Sequence, residues 1–371
     1  MKNIVQKMLF PETLRAEVPL KKLRAAFIGT GAIAREHLAA LKALPHVEVA
    51  GLCDLSAARA EATAERFGVP RWYTDHHRML EEVAPDLVHL TTPPPSHYPL
   101  ARECLLGGFN VLCEKPISLD YSQFQELRRL AIGRGCLLME NQNCRFNGTI
   151  LRVRDFIDAG QLGEVVEVQV HIALNIGAPG SRFADPNSPH PCLGMRGGAI
   201  ADFLPHLAYL AYLFAGAPRG LRTVWHSRLH APLWPADEFR ASFTGERAFA
   251  SVAFSSSAQP NGFWVRVLGT KMTCETNLFE PPRLIVRRLR DGLPPINAFQ
   301  DGLCEARDVF TSTVQGLWRK LGGVSSYDGL AELLARTYAA LGTGGEPPVP
   351  LDEIDAVAKL VADFTNPEFA S

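Results

Sequence analysis

Residues 27–34 read FIGTGAIA, an apolar run that breaks into the spacing Gly29-x-Gly31-x-x-Ala34 and passes directly into the leucine-spaced segment AREHLAALKAL. No other stretch limits the fold as tightly. A glycine straight after a strand permits the tight turn into a helix, and a second lets backbone approach a pyrophosphate. A small third residue then lets helix and strand pack closely. The new helix offers its unpaired N–H groups, around Ala32 and Ile33, and its positive dipole end to the same point. Alone, such a spacing is also an ordinary glycine-rich turn.

The context favours the stronger reading. VEVAGLCD, DLVHLTTP, NVLCEKP and CLLMENQ are short and apolar, and helical segments such as SAARAEATAERFG and DYSQFQELRRLAIGRG separate them. Strands that are apolar throughout and alternate with helices indicate a parallel sheet covered on both faces. Residues 23–145 are therefore expected to form a doubly wound Rossmann domain of the α/β class.

Beyond residue 145 the pattern changes. VVEVQVHIAL, EFRASFTG, AFASVAFSSS and GFWVRVLGT follow one another, several alternating in polarity, with short turns between them. That is the signature of an antiparallel sheet with one wet face. A long Gly/Pro-rich loop spans 177–198, the helix-like AIADFLPHLAYLAYLF follows it, and helical spacing returns after residue 303. Residues 146–371 are expected to form an α+β domain carrying the substrate site.

Composition narrows the partners. The chain has 371 residues, 47% apolar, with 38 basic and 39 acidic side chains and a formal charge of −1. A nucleic-acid binder should show a basic stripe, so none is expected as a partner. The eight cysteines, at 53, 104, 113, 136, 144, 192, 274 and 304, form no CxxC pair. They fit a reducing compartment and small apolar packing roles, and no metal site is expected. Residues 1–22 contain no apolar run long enough for a signal peptide or a membrane span; they read as an N-terminal extension, and the protein as cytoplasmic.

In a doubly wound sheet the ligand lies beyond the carboxyl ends of the strands. Asp54, at the end of the second strand, sits ~20 residues past the glycines, where a carboxylate accepts both adenosine ribose hydroxyls and repels a 2′-phosphate. NAD is the expected cofactor, with NADP left open by Arg35 and Arg59. Thr92, Pro93 and His97 follow another strand end, although His97 is equally a polar helix-start residue. NVLCEKP carries Glu114 and Lys115 to the same rim. In the second half Asp202 and His206 are four apart, hence on one face if the segment is helical. A histidine beside a carboxylate suits general-base work, although such a pair is often a plain surface contact.

Taken in order, GTGAIA, CEKPIS and GGAIADFLPHLAYL resemble the Gfo/Idh/MocA oxidoreductases, a family that includes glucose–fructose oxidoreductase and inositol dehydrogenases, from about residue 23 to the end. The resemblance implies a large open sheet in the second domain and homodimers or homotetramers built on it. It maps the family's lysine onto Lys115 and its aspartate and histidine onto Asp202 and His206. On that reading His206 takes the proton of a sugar or cyclitol hydroxyl as hydride leaves for C4 of the nicotinamide. Lys115 steadies the developing oxyanion and holds the cofactor's face, and Asp202 supports the arrangement. Arg145, Arg182, His190 and Arg196 are weaker candidates for substrate contacts, each equally suited to a loop salt bridge.

The chain departs from the family pattern at Ala199, where a third glycine is common, and at Phe203-Leu204-Pro205. Pro205 predicts a newly started helical turn just before His206. The function expected is an NAD(P)-dependent dehydrogenase or reductase acting on CH–OH groups. Two other readings are a non-catalytic NAD(P)-binding regulator and an NAD-dependent glycosidase using transient oxidation.

Overall fold

A computed structural model describes residues 22–178, 180–181, 183–185, 190–229, 236–289, 294–321, 327, 329–366 and 368. Arg182 and residues 1–21, which make up nearly all of the N-terminal extension, lie outside them.

The first half alternates β1 (Leu23–Ile28), α1 (Ala32–Leu41), β2 (Val47–Cys53), α2 (Ala57–Phe67), β3 (Trp72–Tyr73), α3 (His76–Val83), β4 (Leu87–Leu90), α4 (His97–Leu106), β5 (Val111–Cys113), α5 (Tyr121–Arg134) and β6 (Leu138–Glu140). The six strands pair in the order β3-β2-β1-β4-β5-β6, all parallel. The order reverses between β1 and β4, which opens a crevice at their carboxyl ends. β3 has only two residues and no periodic signal, so sequence patterning missed it. Local chemistry sets the helix ends: the Ser56 hydroxyl accepts from the Arg59 N–H at the start of α2, and Gly68 closes it at φ 69°.

Next come α6 (Gly148–Asp158), β7 (Val165–Ala173), a 3₁₀ turn (Gly198–Asp202), α7 (Leu204–Ala215), β8 (Pro218–His226), β9 (Glu238–Gly245), β10 (Phe249–Ser255), β11 (Gly262–Gly269), β12 (Met272–Asn277) and β13 (Leu284–Arg288). The seven strands form one sheet in the order β13-β12-β11-β7-β10-β9-β8. Only the β7–β10 pair is parallel. The expected α/β plus α+β architecture is present. α7 is apolar on nearly every side, and it is buried accordingly against the inner face of this sheet.

Three helices end the chain: α8 (Pro294–Leu321), α9 (Leu330–Thr343) and α10 (Leu351–Phe364). Their packing cuts across the expected division at residue 146. Leu330, Leu333, Leu334 and Tyr338 of α9 belong to the core of the parallel sheet. α10 gives Ile354 to that core and Val357, Leu360 and Phe364 to the other, so one amphipathic helix joins both.

Candidate active site

Gly29 ends β1 at φ 92°, where a Cβ would meet the Thr91 carbonyl carbon and oxygen at 2.9 Å. Gly31, at the N-terminus of α1, has φ −69°, and a Cβ there would meet nothing within 4 Å. The first glycine is demanded by the protein itself. The second leaves an open cradle at a helix N-terminus, which is the shape a pyrophosphate needs.

Asp54 follows β2. Its Oδ2 accepts from the Thr30 N–H and hydroxyl, each at 3.0 Å, and its Oδ1 from the Ser56 N–H at 3.0 Å. Arg59 lies 3.5 Å from Oδ1. Burial alone would raise this carboxyl, but the Ser56 and Thr30 hydrogen bonds and Arg59 hold it below its usual value. The acid is thus favoured in its ionised form and held in place just beyond the carboxyl end of β2.

Lys115 leaves β5 and reaches the second domain. Its Nζ donates to the Asp202 carbonyl oxygen and to Oδ1, both at 2.9 Å, with only 15% of the lysine side chain and 8% of the aspartate exposed. The turn beyond it is held by two buried groups. Glu140 accepts from the Ile117 N–H at 3.0 Å, and His97 Nδ1 meets the Pro116 carbonyl at 2.7 Å. His97 Nε2 meets the Thr92 carbonyl at 2.7 Å. Of the two readings of His97, the polar helix-start residue is the one present: it opens α4, and its ring is fully buried with both nitrogens on backbone carbonyls, so it spans two rim loops. Burial pushes its pKa down, and the two carbonyls pull it back. The Thr92 hydroxyl accepts from Ser96 at 2.7 Å, and Pro93 leads into the turn that precedes α4. Glu114, also on the rim, accepts from His37 Nε2 at 2.9 Å and from the Asn141 amide.

Asp202 and His206 do not share one continuous helix. Asp202 ends the 3₁₀ turn, and α7 starts at Leu204 with Pro205 in its first turn. Pro205 has no N–H to give Ala201, and the His206 N–H bonds Phe203 rather than Asp202. The Asp202 carbonyl, unused by any helical ladder, accepts from Lys115 instead.

His206 is half-buried. Its Nδ1 lies 2.6 Å from the Tyr209 hydroxyl, with the Cys144 sulfur at 3.8 Å. Burial and the neighbouring Lys115 ammonium push its pKa to about 3, against the pull of Asp202 and Glu114. That shift favours the neutral ring. Among the described residues Nε2 takes no hydrogen bond. Phe263 packs edge-on against the ring, and Phe203 stacks between Phe183 and Phe254.

The weaker candidates scatter. Of the two readings of Arg145, the salt bridge is the one present: it is 4% exposed, ion-paired with Glu353 of α10 and bonded to Gln142 at 3.0 Å. It clamps the 3₁₀ turn Asn143–Phe146 to α10. His190 caps another 3₁₀ turn through the Cys192 N–H and packs on Phe183. Arg196 is exposed, and Arg182 lies outside the described residues. Tyr209, Asn141 and His37 were missed. A polar residue on an apolar helix or strand is the one signal that could have pointed to them.

Comparison with known proteins identifies the family. Residues 23–142 match the family model described as "Oxidoreductase family, NAD-binding Rossmann fold", and residues 150–275 match the GFO/IDH/MocA C-terminal domain. An uncharacterised oxidoreductase of Schizosaccharomyces pombe is 27% identical, with 94% of this chain and 98% of that protein covered. D-apiose dehydrogenase of Paraburkholderia graminis is 30% identical over 39% of this chain and 38% of that enzyme. The chain spans about half of a further curated relative, 56% of a second S. pombe oxidoreductase. In fold it is similar to the WlbA dehydrogenase of Bordetella pertussis, solved with NADH and UDP-GlcNAcA. The TM-score is 0.73 at 18% identity, with 92% of this chain and 95% of that one covered.

Proposed function

The chain belongs to the Gfo/Idh/MocA oxidoreductases, and on that premise we propose that it transfers hydride between NAD and a hydroxyl or carbonyl carbon of a sugar, cyclitol or sugar derivative. What supports this is the ion pair that fixes Lys115 on Asp202 across the domain junction, four positions before His206, whose Nδ1 is engaged by the Tyr209 hydroxyl. NAD, when bound, exchanges hydride at its nicotinamide ring. His206 Nε2 takes the hydroxyl proton during oxidation and returns it during reduction. This requires the Nδ1–H tautomer, which donates to the Tyr209 oxygen. The Lys115 ammonium, anchored by Asp202, supplies positive charge beside the developing alkoxide. Asp202 keeps that charge in place without touching the reacting carbon.

Asp54 supports NAD over NADP. The sugar class is taken from relatives such as D-apiose dehydrogenase. We also infer a homo-oligomer formed through the outer face of the seven-stranded sheet, where Phe249 is 44% and Val166 54% exposed. All eight cysteines are free, which supports a cytoplasmic location. Among the described residues no helix is long and apolar enough to cross a membrane.

The test is absorbance at the reduced-nicotinamide band during incubation with polyols, aldoses and nucleotide sugars, using NAD and NADP in parallel. Turnover with a polyhydroxylated substrate is expected, and it should fall by about 10²–10³-fold in Lys115→Ala. Parental rates in that variant would defeat the assignment. Sugar release without accumulation of reduced nicotinamide would indicate a glycosidase instead.

A further inference from the structure

Behind Lys115 lies a line of buried polar groups that the reaction above does not use. It starts at Tyr338 on α9, whose hydroxyl is 2.7 Å from His89 Nε2 on β4. His89 Nδ1 is 3.0 Å from His37 Nδ1 on α1, and His37 Nε2 is 2.9 Å from Glu114 Oε1. Tyr338, His89 and His37 are 0% exposed, and Glu114 is 7%. A buried polar side chain without a partner is costly, so four in contact need a consistent assignment of protons.

Only one assignment satisfies every group. An ionised Glu114 is acceptor only, so His37 Nε2 carries a hydrogen. Burial pushes the His89 pKa well below its usual value, so His89 has a single N–H. If His37 were an imidazolium, its Nδ1–H would donate to His89, and His89 would donate to the Tyr338 oxygen. The Tyr338 hydrogen would then be buried with no acceptor among the described residues, where His89 is its hydrogen-bond partner. With His37 neutral, Tyr338 donates to His89 Nε2, His89 Nδ1–H donates to His37 Nδ1, and His37 Nε2–H donates to Glu114. Nothing in the line is left over.

From this one-way chain we infer that Tyr338, His89 and His37 are positioning residues for Glu114, holding its carboxylate ionised and fixed at the base of Lys115. Each donation polarises the next group toward the carboxylate, and chains of this kind strengthen cooperatively in a low dielectric. Burial would raise the Glu114 carboxyl, yet hydrogen bonds from His37 and Asn141 and the Lys115 ammonium hold it below its usual value. Glu114 also faces Cys113, Glu140, His97 and His206 electrostatically. Of these, Glu140 opposes its ionisation, so the donors from α1 and β6 are what keep the charge. Through Tyr338 the chain ties α9, a late element of the sequence, to the rim that carries Lys115.

The inference rests on the proposed reading of Lys115 only for its kinetic consequence, and the test separates the two. Long-range ¹H–¹⁵N correlation spectra of the histidine rings in the full-length protein, without substrate, report tautomers directly. The expected result at pH 8 is an Nδ1–H tautomer for His89 and a neutral Nε2–H tautomer for His37. An Nε2–H tautomer at His89, or a charged His37, overturns the chain whether or not the protein is active.

With a working assay, His37→Leu removes a donor from Glu114 and should move the acid limb of kcat/KM up by at least about one pH unit. His37→Gln, which can still donate an amide N–H to Glu114, should restore most of it. Tyr338→Phe should release the fixed tautomer of His89 while leaving the fold intact. A His37→Leu protein with the parental acid limb overturns the positioning role. Absence of NAD-dependent turnover in the parent defeats the proposed function and leaves the spectra to decide the chain.

Discussion

At the residue scale, Gly29 and Gly31 stand two positions apart and answer to different forces. Gly29 is held at positive φ against the Thr91 carbonyl, so Gly29→Ala should cost about 1–3 kcal/mol in strain before any clash is counted. Gly31→Ala strains nothing, since its Cβ would enter open space. The melting temperature should therefore drop in Gly29→Ala and hold in Gly31→Ala, while NAD titration shows weakened binding in the latter. Equal melting temperatures in the two variants would contradict the assignment. Tyr209 can be tested in the same way. Tyr209→Phe removes one buried hydrogen bond to His206 Nδ1, about 1 kcal/mol, and should lower kcat roughly fivefold with KM little changed.

At the scale of elements, the decisive feature is the break between the 3₁₀ turn Gly198–Asp202 and α7. In an unbroken helix the Asp202 carbonyl would accept from the His206 N–H. Pro205 and the shift of that N–H to Phe203 leave the carbonyl to Lys115. Pro205→Ala permits the helix to extend backward. The protein should stay folded, because Pro in a first helical turn contributes little stability. Turnover should fall by an order of magnitude or more as Asp202 is drawn into the helix. Unchanged kcat in a folded Pro205→Ala protein would show that the break is incidental.

At the scale of the whole molecule, buried histidines govern the response to acid. His89 and His206 have pKa values pushed well below 6.5. The unfolded chain binds protons at these sites from about pH 6.5 downward, and the folded chain does not. Stability is therefore complete above pH 6.5 and should fall as pH drops, by about 1.4 kcal/mol per pH unit for each histidine that stays neutral. Urea midpoints measured between pH 7.5 and 5 should decline steadily; a flat profile would show that these rings protonate in place. Glu353→Gln should also destabilise, by about 3 kcal/mol, since it leaves the buried Arg145 guanidinium without its counter-charge and loosens the helix shared by both cores.

Much of this was legible in the residues. The glycine spacing, the alternation of apolar strands with helices and the change to period two after residue 145 are local properties of the chain. They specify a parallel sheet, a second sheet and the rim on which Asp54 and Lys115 lie, because backbone sterics and burial act through near neighbours in sequence. Pro205 likewise announced a new helical turn. The tertiary structure decided what depends on contacts far apart in the chain. Arg145 became a clamp because α10 returns past it with Glu353. The His97 ring was buried between two backbone carbonyls, from Thr92 and Pro116. α9 joined the first core rather than the second, bringing Tyr338 within 2.7 Å of His89. No periodicity encodes such meetings, because a hydrogen bond across 249 positions of sequence exists only once packing has chosen its partners.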